Sequence, residues 1–250
     1  MRFTDKVVLV TGAGSGVGRA VARGFAREGA TVVAAGRVRE QLERTVTLIE
    51  AEGGRAVALT ADVTDSAAVA RLVGEITARF GRLDVAVNNA GVFAGGAVAD
   101  MPEDEWGGGL RVNATGTFFA MKHEIAAMRA QGSGVIVNIA SNIGAHKAVP
   151  GLGAYAASKA AVSALTRTAA LENIRAGVRI NAVSPGPLDT AMSLRPGETE
   201  DDRAARVRES LPIGRVGALD EITGTVLWLA SDDAGFAVGL DLVLDGGASA

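Results

Sequence analysis

Short continuous apolar runs alternate along this chain with longer stretches of mixed character. The runs Val7–Val10, Thr31–Ala35, Ala56–Thr60, Asp84–Asn88, Val135–Ile139, Val178–Val183 and Asp241–Asp245 are rich in β-branched and small apolar residues. Runs that do not alternate polar with apolar predict strands buried on both faces. Between them, helical patterning predicts helices over Val17–Glu28, Arg39–Glu52, Ser66–Phe80, Tyr155–Ala176 and Asp220–Ala230, with helical segments across Glu103–Met128. Strand–helix alternation of this kind implies right-handed crossovers and a parallel sheet covered on both faces. The expected class is α/β: one doubly wound domain over residues 1–250, with a seven-stranded parallel sheet.

One stretch breaks the rhythm. From Pro185 to about Asp202 there are three prolines and several charges, with no regular period. Long irregular segments in compact domains often act as lids. A substrate lid is expected at about residues 188–212, with Met192–Ser210 as the variable cover of a pocket.

Composition narrows the function. The chain has 250 residues, 48% of them apolar, with 33 glycines and no cysteine. Disulfides, thiolate nucleophiles and cysteine-ligated metals are excluded. The only histidines, His123 and His146, are far apart in sequence, so no metal site is expected. A net charge of −3 offers no footprint for nucleic acid, and no apolar run is long enough to span a bilayer. The N-terminus carries no signal-peptide core. These features point to a cytoplasmic protein with a small-molecule partner, binding neither nucleic acid nor membrane.

The candidate chemistry begins at Thr11-Gly12-Ala13-Gly14-Ser15-Gly16-Val17-Gly18, between the first strand and the first helix. Gly12 permits a sharp turn, Gly16 lets the backbone approach a pyrophosphate, and Gly18 lets helix and strand pack closely. The helix N-terminus adds unpaired N–H groups and a positive dipole end. At the end of the second strand an acidic residue would bind the ribose 2′-OH of NAD. This chain has Ala35-Gly36-Arg37 there, and Arg37 can meet a 2′-phosphate in a bidentate way. NADP is therefore preferred and NAD remains possible; Ser15 adds no second cation. Asp62, beside Val63, is placed to accept from an adenine amino group, or else to cap the next helix. Asn88-Asn89-Ala90-Gly91 ends the fourth strand, where Gly91 allows a backbone to pass close to a cofactor. Tyr155 and Lys159 lie four residues apart on one helix face. A nearby cation favours a phenolate, and a tyrosine so tuned suits carbonyl–alcohol chemistry.

Together these residues resemble the short-chain dehydrogenase/reductase family in its roughly 250-residue branch, similar to 3-oxoacyl-acyl-carrier-protein reductases and related ketoreductases. The resemblance runs over almost the whole chain. It rests on Thr11–Gly18, Asn88–Gly91, Tyr155 with Lys159, Ser184-Pro185-Gly186-Pro187, and Leu244-Asp245-Gly246-Gly247. It implies a Rossmann-type fold and a catalytic set of Asn113, Ser141, Tyr155 and Lys159. Ser141 would polarise a carbonyl and Tyr155 would be the acid/base. Lys159 would lower the tyrosine pKa and hold the nicotinamide ribose, and Asn113 would hold a water linking Lys159 to solvent. Pro185, Gly186, Leu188 and Thr190 would lie along the nicotinamide. The family's usual serine-to-tyrosine spacing is thirteen residues, which would select Asn142; the local pattern Asn138-x-x-Ser141-x-x-Gly144 selects Ser141. The extra residue is expected in Ala145–Gly153, with His146 and Lys147 as exposed loop residues. His123 is expected at the surface or an interface. By analogy, a homotetramer or homodimer is expected. The rival readings are a catalytically silent cofactor-binding sensor or scaffold, an NAD-dependent alcohol dehydrogenase of the same family, and a sugar-nucleotide epimerase or dehydratase. An enoyl reductase is disfavoured because its tyrosine and lysine are normally further apart.

Overall fold

The structure is a computed structural model and describes residues 1–195 and 197–250; Pro196, inside the expected lid, lies outside the described residues. Seven strands form one sheet: β1 Val7–Thr11, β2 Thr31–Gly36, β3 Arg55–Thr60, β4 Val85–Asn88, β5 Gly134–Ile139, β6 Val178–Pro185 and β7 Asp241–Leu244. Their order is β3-β2-β1-β4-β5-β6-β7, and every neighbouring pair is parallel. The expected doubly wound parallel sheet is therefore observed.

Successive side chains on a strand point to opposite faces. Val8 and Val10 pack with Phe25 of α1 (Gly16–Arg27), Leu42 and Ile49 of α2 (Arg39–Ala51), and Ile222 and Val226 of α8 (Leu219–Ala230). Val7 and Leu9 pack on the other face with Leu72 and Ile76 of α3 (Ser66–Phe80), Met128 of α5 (Gly116–Gln131) and Ala170 of α6 (Gly153–Asn173). One strand thus feeds two cores, which is why its sequence is apolar throughout.

The helical region after β4 is continuous. α4 (Glu103–Leu110) runs through a π-helical turn, Arg111–Thr115, into α5. Asn113 sits at the centre of that turn. The lid region departs from its expected irregularity: a short 3₁₀ turn, Ala191–Ser193, is followed by α7, Glu200–Ser210.

The chain winds outward in both directions from β1 and β4, so their carboxyl ends open a crevice where the strand order reverses. The Thr11 hydroxyl stitches this point, accepting from the Asn89 and Ala90 N–H groups at 3.1 and 3.2 Å.

Candidate active site

The glycine turn lies at this crevice. Gly16 has φ +50° and opens α1, whose Ser15 N-cap makes no side-chain capping bond. No acidic side chain occupies the first turn of α1 either. A Cβ added at Gly18 would lie 2.3 Å from the Gly12 carbonyl and 2.5 Å from Asn89 Nδ2, so only glycine permits this closeness. Asn89 Nδ2 itself donates to the Thr11 and Gly12 carbonyls at 3.1 and 3.3 Å. The turn is held from outside as well: Arg19 donates to Gly14 O, and Thr45 Oγ1 donates to Ala13 O at 2.8 Å. Uncapped helix N–H groups above a bare glycine backbone fit the pyrophosphate of a dinucleotide.

Arg37 is exposed beyond β2, next to the turn, and close enough to Asp62 to help hold its carboxyl below the usual range. The larger cause at Asp62 is the hydrogen bond from the Thr64 N–H, at 2.9 Å, with a further one from the Thr64 hydroxyl. Both fall on Asp62 Oδ1. The cap of α3 is Asp65, not Asp62, so the capping alternative for Asp62 does not hold. Val63 packs against Gly116 at the start of α5.

The candidate catalytic residues converge at the ends of β4 and β5. Ser141 follows β5, and its Oγ accepts from Ile143 N–H at 3.1 Å, which leaves its own O–H to donate. It lies close enough to the Tyr155 hydroxyl to oppose the rise of that group's pKa. Asn142 turns the other way, donating to Asp245 Oδ2 at 3.1 Å. Of the two residues that the spacing leaves open, Ser141 is the one beside the tyrosine. Gly144 lets the loop lie against α6; a Cβ there would be 2.6 Å from Ala156 O and 2.9 Å from Ala160 N.

Lys159 is buried, and its ammonium donates to Ile139 O at 2.8 Å, tying α6 to the strand end that carries Ser141. Burial draws its pKa down to about 8. Its Nζ is 6.0 Å from the Tyr155 ring centroid. The expected lowering of the tyrosine pKa is not observed. Burial raises the Tyr155 pKa, and the neighbouring Ser141 opposes that rise. Asn113 Oδ1 accepts from Val92 N–H at 2.8 Å, and Asn113 Nδ2 donates to Val92 O and Ser158 Oγ at 2.9 and 3.0 Å. A Cβ on Gly91 would lie 3.2 Å from Asn113 Oδ1 and 3.6 Å from Lys159 Nζ, so Gly91 keeps a gap open beside both.

This geometry has close counterparts among known proteins. A family model described as enoyl-(acyl carrier protein) reductase matches residues 12–249. The 3-oxoacyl-[acyl-carrier-protein] reductase of Thermotoga maritima is 36% identical over 248 residues, covering 99% of each chain. A cis-4-hydroxycyclohexanecarboxylate dehydrogenase of Sinomonas cyclohexanicum is 40% identical, covering 99% of this chain and 98% of that one. The crystal structure of an NAD+-bound xylitol dehydrogenase superposes with a TM-score of 0.92 at 35% identity, covering 99% of this chain and all of the other. The chain belongs to the short-chain dehydrogenase/reductase family. It is accordingly an NAD(P)-dependent oxidoreductase acting on an alcohol or carbonyl group.

For this family member, the structure puts some expected residues in different surroundings. Leu188 sends its side chain into the core, and its backbone bridges to Gly217. Thr190 lies over the glycine turn, its methyl 3.6 Å from where a Gly16 Cβ would be. Pro185 is the last residue of β6, and Gly186 N–H donates to Leu244 O at 3.0 Å. His146 and Lys147 are not free loop residues. His146 Nε2 pairs with Asp241 at 2.9 Å, and Lys147 Nζ donates to Ala248 O at 2.6 Å. His123 pairs with Ser66 Oγ at 3.0 Å. Asn88 is structural, bonded to Glu124 and Asn138 inside the core.

Three residues of interest escape the sequence reading. Phe93 packs its ring 5.3 Å from that of Tyr155 and is half exposed; nothing in its local pattern marks it. Arg203 is buried on α7, where it donates to Asp189, to Thr190 O and to Ser193 Oγ. Glu124 stands in the apolar phase of α5 with Met121 and Met128, and that phase is a signal the sequence does contain.

Proposed function

We propose that this chain transfers a hydride reversibly between NADP(H) and a carbonyl or secondary-alcohol substrate, with Tyr155 as the acid/base. The observation that carries the reading is the meeting of Ser141, Tyr155 and Lys159 at one strand end, across the crevice from the uncapped N-terminus of α1. The nicotinamide supplies or takes up the hydride. In this reading Ser141 O–H donates to the substrate oxygen, because its acceptor side is occupied by Ile143 N–H. Tyr155 O–H delivers the proton in the reducing direction and removes it in the oxidising one. Burial favours its neutral form, which suits the acid role.

Lys159 spends one N–H on Ile139 O and keeps two for ribose hydroxyls. Asn113 spends its side chain on Val92 and Ser158, so its support for a water linking Lys159 to solvent falls to oxygen lone pairs not used there. Thr11, Gly12, Gly14, Ser15, Gly16, Val17 and Gly18 would hold the pyrophosphate. Asp62, Val63, Asn89, Ala90 and Gly91 would flank the adenosine and ribose, and Pro185, Gly186, Leu188 and Thr190 the nicotinamide. Residues 188–212 would close over the substrate, with Phe93 beside Tyr155 giving the pocket an apolar wall. That wall favours a substrate with an apolar body, as the hydroxycyclohexane name of one relative would suit.

Arg37 supports NADP over NAD, because it is an exposed cation that follows β2, where an acidic residue would bind the ribose 2′-OH of NAD. The NAD+-bound neighbour supports the second reading, an NAD-dependent alcohol dehydrogenase. A carbonyl and alcohol panel measured with NADPH and NADH side by side separates them. The preferred reading expects kcat/KM higher with NADPH, and an Arg37→Ala variant to lose roughly ten- to a hundred-fold of that preference, the worth of a charge-assisted hydrogen bond. Equal cofactor preference in both forms contradicts it. Cofactor binding without turnover of any panel member would favour the sensor or scaffold reading. A homotetramer or homodimer remains our proposal for the assembly.

A further inference from the structure

Glu124 is wholly buried, and among the described residues no cation accompanies it. Its Oε2 accepts from Asn88 Nδ2 at 2.9 Å, and the same nitrogen donates to Asn138 Oδ1 at 3.0 Å. Two buried oxygens are then left over: among the described residues, Glu124 Oε1 and Asn88 Oδ1 have no hydrogen-bond partner. While the carboxyl is ionised both are acceptors, so neither can serve the other. Turning the Asn88 amide over does not help. It would aim Oδ1 at the Glu124 and Asn138 oxygens and forfeit both existing bonds.

A single proton resolves the arrangement. An O–H on Glu124 Oε1 makes one of the two leftover acceptors a donor, and an acid facing a primary amide can form two antiparallel hydrogen bonds. We infer that Glu124 is a neutral carboxylic acid whose O–H donates to Asn88 Oδ1, and that this acid–amide pair positions the end of β4 against α5. The pair lies one residue from the crevice. Asn89, next in the chain, pins the Thr11 and Gly12 carbonyls. Asn138 carries the network onward by donating to Thr166 Oγ1 on α6 at 2.9 Å. Glu124 therefore acts through Asn88 as a positioning residue.

Its surroundings give the proton a measurable signature. Burial pushes the carboxyl from its ordinary 4.5 up to about 7, opposed only by the Asn88 hydrogen bond. No neighbouring element supplies a compensating charge. β4 and β5 present Asn88 and Asn138, and α6 presents Thr166, its buried Lys159 being turned to Ile139 O. On α3, Arg71, Glu75 and Arg79 are exposed. On α5, Lys122 is exposed and His123 bonds Ser66. Arg179 of β6 donates to the carbonyls of Leu229, Ser231 and Ala234. The folded chain thus keeps a proton that the unfolded chain releases. The stabilisation from that proton is complete below about 4.5, falls as pH rises toward about 7, and levels off above it.

Glu124→Gln places a permanent N–H donor at the same position and cannot titrate. Thermal unfolding of the wild-type and Gln chains between pH 5 and 8.5, with infrared spectra at pH 6, tests the inference without any catalytic readout. A failure here is therefore distinct from a failure of the hydride-transfer reading. The expected result is that the Tm of the Gln variant relative to wild type rises by about 5 °C between pH 5 and 7 and then stays constant. A protonated-carboxyl band present in wild type should be missing from the variant. If the Gln chain does not accumulate, Glu124→Met, also unable to titrate, gives the same two readings. A Tm difference that is flat across the range, with no acid band lost, overturns the inference.

Discussion

Lys159 is buried with no anion beside it, and its ammonium rests on a single backbone carbonyl. A drop from 10.5 to about 8 corresponds to about 3 kcal/mol set against the charged form. The sign follows from the depressed value: below about 8 the folded chain carries the buried charge at full cost, and the cost disappears as pH rises from there toward 10.5. Lys159→Met should therefore raise Tm at pH 7 while destroying turnover. Its stability advantage should shrink as pH climbs past 8, which denaturation curves across that range would reveal. Tyr155, Lys159 and the glycine turn stand out in the sequence as short motifs at fixed spacing, whereas Asn113 stands out only through the family resemblance. The titration of Tyr155 was not legible there. The spacing puts a cation four residues away but does not say that the ammonium turns to Ile139 O instead of the phenol. Nor does spacing say that Ser141 is the polar neighbour that opposes the rise of the tyrosine pKa.

Gly18 shows what an element demands of one position. Helix α1 meets β1 so closely there that an added methyl would lie 2.3 Å from a backbone oxygen. Gly18→Ala should cost about 1–3 kcal/mol of stability, as overpacking does. It should also weaken cofactor binding, because the Gly12 carbonyl and Asn89 amide must shift together. Chemical denaturation and a cofactor titration would measure the two effects. The strands were legible because the inner ones are buried on both faces and all seven are short segments dominated by apolar residues, although the edge strands β3 and β7 are only partly buried. Helix α7 was not, since Val207 and Arg203 are its buried residues and the rest of its surface is charged and solvated. Its one readable mark is the capping box of Thr199 with Asp202, three residues apart. The lid was legible as a break in the rhythm, but not its internal ties. Arg203 reaching Asp189, Thr190 and Ser193, and Arg206 reaching Glu198, depend on a helix that the apolar period does not reveal.

Across the whole molecule, large apolar side chains remain exposed on several helices. Trp106, Phe118 and Leu171 stand on α4, α5 and α6, while Trp228, Phe236 and Leu240 stand on or after α8. Exposed apolar side chains in such number suit contact with further copies of the chain. Sedimentation equilibrium should give a mass two or four times 25.3 kDa, and Trp228→Asp with Phe236→Asp should lower it. A monomeric wild-type chain would contradict the assembly proposal. The parallel order of the sheet sets the site at the same scale. Because the strand sequence reverses between β1 and β4, the glycine turn and the Ser141–Tyr155 pair face one crevice although Gly18 and Ser141 are 123 positions apart in sequence. We propose that Tyr155 moves the proton in that crevice. The most direct measurement compares Tyr155→Phe with wild type for NADPH-dependent ketone reduction and for NADPH affinity. Turnover should fall by at least about 10²-fold with cofactor affinity nearly unchanged; a Phe variant that turns over at the wild-type rate would show that Tyr155 is not the acid/base.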